Sequence, residues 1–79
     1  MKNVSPEALV EELHAAVKRQ SSVPKVAAQI GMNYHSLRDN LLGNTQMRLI
    51  TVDRMLDALE MSWEELLERA RLSEAHRKF

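Results

Sequence analysis

Cysteine is absent from this 79-residue chain, which excludes disulfide staples, thiolate metal sites and a cysteine nucleophile together. Two Gly and two Pro are the only strong breakers, and one each of Phe, Tyr and Trp supplies the aromatics. No apolar run approaches the about 18 residues of a membrane helix, and Met1 to Pro6 carries no signal-peptide core. A soluble protein of the cytoplasm, without membrane contact, is therefore expected. His14, His35 and His76 share no helical face at i, i+4 spacing, so no metal site is expected. There is no Gly-rich phosphate loop, no paired-carboxylate cleft and no nucleophile with a base at readable spacing. The sequence thus reads as a non-enzyme that needs no cofactor and expects no small-molecule ligand.

Hydrophobic residues make up 44% and charged residues 28% of the chain, ordinary globular proportions that argue against wholesale disorder. Length allows one domain, residues 1–79, and a domain so short buries only roughly 60% of its unfolded surface. With many Leu, Ala, Glu and Arg and little β-branched or aromatic enrichment, the composition favours helices. Formal net charge is zero, but the charges are segregated. Residues 1–22 balance. Residues 23–50 hold Lys25, Arg38 and Arg48 against Asp39, a net +2. Residues 51–70 set Asp53, Asp57, Glu60, Glu64, Glu65 and Glu68 against Arg54 and Arg69, a net −4. Residues 71–79 return to +2. A polyanion would meet the middle segment and avoid 51–70.

Punctuation and period predict five helices. Ser5-Pro6-Glu7 opens the first, 6–20, with a hydroxyl cap, Pro in the first turn and an acid behind it. Leu9, Leu13, Ala16 and Val17 make its apolar stripe. Ser22 caps a second helix, 23–31, carrying Val23, Val26, Ala27 and Ile30, with Pro24 harmless in its first turn. Gly31 ends it. Asn33 starts a third at Tyr34 that runs to residue 42, and Gly43-Asn44-Thr45-Gln46 follows as a loop. A fourth helix, 51–60, opens near Thr51 with Val52, Met55, Leu56 and Leu59 on one face. Ser62-Trp63-Glu64-Glu65 is a capping box. It opens a fifth helix, 63–73, with Trp63, Leu66, Leu67 and Ala70 on one side. Residues 74–79 either extend it or fray as a tail. The fold class expected is all-α, a compact five-helix domain.

The informative stretch is VPKVAAQIGMNYHSLRDNLLG, Val23 to Gly43. Helix, short turn containing Gly, helix is helix-turn-helix geometry. Small Ala27 stands four residues before Gly31, where the two helices cross closely, and Leu37 anchors the inner face of the next helix. On these residues, with Gly43, Leu59 and Met61-Ser62-Trp63-Glu64-Glu65-Leu66, the chain resembles the Cro and lambda-repressor (XRE-type) family of phage and bacterial regulators. The resemblance spans roughly residues 8–68.

What it implies is a lambda-repressor-like domain whose third helix, 34–42, enters the major groove of an operator in double-stranded DNA. Tyr34, His35, Arg38 and Asp39 would face the bases, with Arg38 suited to guanine O6 and N7. Asp39, a carboxylate close to phosphates, would orient Arg38 or accept from a cytosine amine. Ser22, Val23, Lys25, Asn44, Gln46 and Arg48 would hold the DNA backbone. The chain departs from the family where Val23-Pro24 replaces a polar opening of the second helix. It departs again at Asn40, which stands where an apolar residue is usual and implies a slightly rotated third helix. Such domains commonly act as homodimers, reading half-sites about 34–36 Å apart, although a monomer is possible. Trp63, Leu66, Leu72 and Phe79 are candidate interface residues, with Trp63 equally eligible for the core. The function implied is transcription regulation, as a phage-type Cro or repressor in the cytoplasm of a bacterial host or at its nucleoid. The alternative is a protein-interaction module on the same scaffold, an antitoxin or anti-repressor, working through the acidic 51–70 face.

Overall fold

The computed structural model describes residues 4–77, with side chains as far as Glu74. Five helices follow one another: α1 Pro6–Gln20, α2 Val23–Ile30, α3 Tyr34–Leu42, α4 Leu49–Ala58 and α5 Trp63–Arg77. The described residues contain no strand, and the chain is all-helical.

The starts and stops of the first three helices have visible causes. Ser5 Oγ accepts from the Ala8 N–H at 3.2 Å and Ser22 Oγ from the Lys25 N–H at 3.4 Å. Asn33 Oδ1 accepts from the His35 and Ser36 N–H groups at 2.8 and 3.3 Å. Each satisfies donors that a helix start leaves without an intrahelical partner. Gly31 and Gly43 take φ of +70° and +83°. Left-handed backbone there lets Met32 N–H reach the Ala27 carbonyl at 2.8 Å and Asn44 N–H the Asp39 carbonyl at 2.9 Å, closing α2 and α3.

The last two helices differ from their expected bounds. α4 begins at Leu49, two residues before Thr51. Arg48 contributes no side-chain cap; its carbonyl alone receives the Thr51 and Val52 N–H groups at 3.0 and 3.2 Å. The same helix ends at Ala58, where Met61 N–H turns back to the Leu56 carbonyl at 2.9 Å and Glu60 takes φ +55°. α5 continues to Arg77, past the expected end at residue 73. Two contacts with the start of the chain accompany that extension: Ser73 Oγ donates to Glu12 Oε2 at 3.3 Å, and the Ser5 N–H donates to Glu74 Oε2 at 3.4 Å. The capping box forms as expected, with Glu65 N–H on Ser62 Oγ at 3.1 Å and Ser62 N–H on Glu65 Oε1 at 3.2 Å.

α1 packs against α5, α3 and α2, while α2 packs against α3 and α4. Every helix contributes at least one large, fully buried side chain to one core: Leu13 and Val17, Val26, Leu37, Met55 and Leu66. Leu67 departs from expectation. The apolar stripe of α5 places it inward beside Leu66, but about 100° of helical turn separates consecutive residues, and Leu67 is 42% exposed.

Candidate nucleic-acid interface

α2, the Gly31-Met32-Asn33 turn and α3 form a helix-turn-helix whose inner faces meet through small and branched residues. Ala27 is buried where α2 approaches α3, between buried Val26 and half-buried Ile30. Nothing stands within 4 Å of where a Gly31 Cβ would be, so the backbone conformation, and not crowding, calls for glycine at the turn.

α3 divides its residues sharply. Leu37, Asn40 and Leu41 point inward and are buried, whereas His35, Ser36 and Arg38 are exposed. Asp39 is half-buried. Tyr34 does not stand squarely opposite Leu37 and Leu41. Nearly two turns separate Tyr34 from Leu41, which returns it to the margin of the same side, and it is 37% exposed. Its ring lies against His35, centroids 5.2 Å apart and planes inclined by 59°. The outward corner of α3 is therefore a tilted aromatic pair followed one turn later by the Arg38 guanidinium.

Asn40 is the surprise of this face. The residue is buried at the edge of a groove between the α2–α3 turn and α4, and its Nδ2 donates to Thr45 Oγ1 in a part-buried bond. A polar residue at an apolar-period position was the sequence signal; its partner, five residues on in a loop, could not be read from spacing. The bond, together with Asn44 N–H on the Asp39 carbonyl at 2.9 Å, fastens the loop after α3 onto the end of that helix.

The residues expected at a phosphate backbone do not all behave alike. Lys25, Asn44, Gln46 and Arg48 are exposed. Ser22 is half-buried and its hydroxyl is engaged as the α2 cap, and Val23 packs half-buried against the core. These two can offer a ligand the helix start but no free side chain. Gln46 and Arg48 line the same groove, of about 490 Å³, whose other walls include Ile30, Met32, Ile50 and Arg54. Arg54 belongs to the net-acidic segment 51–70, so summing charge by segment hides the cation it brings to this groove. Among the described residues neither Arg48 nor Arg54 is ion-paired.

Of the candidate interface residues, Leu66 is fully buried and cannot meet a partner. Its place in the α5 stripe carries it into the core. Trp63 is half-buried, packs against the core and donates its indole N–H to Asp53 Oδ1 at 3.2 Å. Leu72 is 51% exposed, and Phe79 lies outside the described residues. Asp53, Asp57, Glu60, Glu64, Glu65 and Glu68 are all exposed. No helix among the described residues is long and apolar enough to cross a membrane, and no group of three potential ligands for a metal ion is present among them. No protein-family model, curated protein or solved structure matches the chain.

Proposed function

We propose that this chain is a sequence-specific regulator that binds double-stranded DNA through a lambda-repressor-like helix-turn-helix, with α3 as the reading helix. The division of α3 carries this reading. Leu37 and Leu41 anchor it, while His35 on the far side and Arg38 on the flank are exposed, with no competing intramolecular ion pair among the described residues. Arg38 suits bidentate hydrogen bonding to guanine in the major groove. Lys25, Asn44, Gln46 and Arg48 supply positioning contacts to phosphates, which carry affinity more than sequence preference. As a phage-type Cro or repressor, the protein would act by occupying its operator, as a homodimer where two half-sites are read.

Selection of binding sites from a random duplex pool at about 50–100 mM salt tests this, since phosphate contacts are only weakly screened there. Wild type should enrich a motif. Arg38→Ala should cost roughly 1–3 kcal/mol and relax one position of it. Arg48→Ala should instead weaken binding to all sequences and lower the slope of log affinity against log salt by about one unit. A folded wild-type protein that enriches nothing overturns the proposal. In that case the exposed carboxylates of 51–70 favour the second reading, a module that binds a basic protein surface.

A further inference from the structure

The groove beside the helix-turn-helix has a mixed character that a phosphodiester would use only in part. Two guanidinium groups, Arg48 and Arg54, stand at a hollow walled by Ile30, Met32 and Ile50. Ile50 is 59% exposed and its neighbour Leu49 76%. Phosphate would satisfy the cations and leave the apolar walls in water, whereas a branched apolar side chain flanked by a carboxylate would use both. Such a group is present on the same molecule. Leu67 projects from α5, 42% exposed, with exposed Glu64 one turn before it. Arg71, one turn after, is already held by Glu68 at 2.7 Å, so Glu64 sets the charge around Leu67.

We infer that the groove between the α2–α3 turn and α4 receives the Glu64–Leu67 face of α5 from a second copy of this chain. The contact is heterologous: each copy offers a groove to one neighbour and an α5 face to another, and the assembly stays open unless the rotation closes a ring. One apolar side chain and its flanking charges bury far less than the roughly 1,200–2,000 Å² of a standard stable interface. The association is therefore weak, salt-sensitive and visible only at high concentration. Its existence does not rest on the DNA-binding proposal. If that proposal also holds, Gln46 and Arg48 cannot serve groove and phosphates together, and assembly competes with DNA.

Sedimentation velocity on the full chain tests the inference without DNA. At about 50 mM salt, where exposed charges still attract over a Debye length, the mean sedimentation coefficient should rise with protein concentration. It should rise much less at about 500 mM. Arg54→Glu and Glu64→Arg each reverse an exposed charge and should each abolish the rise while leaving the circular dichroism helical. An equimolar mixture of the two should restore it, because each variant then carries the surface that the other lacks. Adding Leu67→Ala to both variants should remove that rescue and separate docking from simple attraction between oppositely charged proteins. Absence of any concentration dependence, association that survives either single reversal, a mixture that fails to restore it, or association seen only when duplex DNA is added would each overturn the inference.

Discussion

Two residues hold conformations or protonation states that the sequence does not advertise. Glu60 sits at φ +55°, a region that costs an L residue with a Cβ about 1–2 kcal/mol. It closes α4 as Gly31 and Gly43 close α2 and α3, but with the wrong residue type for the task. Glu60→Gly should stabilise the fold by about 0.5–1 kcal/mol, the relieved strain less the extra freedom glycine gains when unfolded. A matched pair of thermal melts would show it, and an unchanged or lower midpoint would place the strain elsewhere. His14 is the second case. Its partial burial, and then the charge of Lys18 one turn on, push its pKa below the ordinary 6.5. The folded state therefore binds the proton less readily than the unfolded chain. This contribution is fully present above about pH 6.5 and declines as pH falls from there toward the folded-state value. Denaturant titrations of wild type and His14→Gln between about pH 5 and 7.5 should show a slope in the former that is reduced in the latter.

At the scale of elements, the helices whose ends are marked by side chains were legible and those marked by backbone alone were not. Ser5, Ser22, Asn33 and Ser62 all make the capping bonds their types suggest. Arg48 caps α4 with only its carbonyl, and no residue preference records that. The division of α3 followed from period, but the clamp that ties its end to the next loop depends on Asn40 meeting Thr45 in three dimensions. That clamp has a measurable consequence. Thr45→Val removes the acceptor of a part-buried bond; Asn40 lines the groove, where water can take the place of the hydroxyl, so the loss should be about 0.5–1.5 kcal/mol. The double variant Asn40→Leu with Thr45→Val removes both partners and should recover much of this loss, since an apolar pair needs no hydrogen bond. Amide exchange in residues 43–47 should accelerate in both variants, because the loop loses its anchor even where global stability returns. Exchange unchanged from wild type would mean that the Asn44 backbone bond holds the loop alone.

For the whole molecule, five short helices share one core, and none has an interior of its own. A domain of this length has a stability of about 4–12 kcal/mol, so one buried leucine is a large share of it. Leu66→Ala should cost about 2–5 kcal/mol, whereas Leu67→Ala, one residue along the same helix but half in water, should cost less than about 1 kcal/mol. Equal losses in a denaturant titration would contradict the orientation of α5. The all-helical class, the single core and the inward side of α5 through Trp63, Leu66 and Ala70 were readable from apolar period; only Leu67 was misplaced, because an adjacent leucine pair cannot share one stripe. The bond between Trp63 and Asp53 has a use of another kind. The chain has one tryptophan, and its indole rests on the core at the junction of α4 and α5 while its N–H holds a carboxylate. Fluorescence excited at the red edge of the absorption band is thus an intrinsic optical gauge of that single joint, readable without a label in every titration described above.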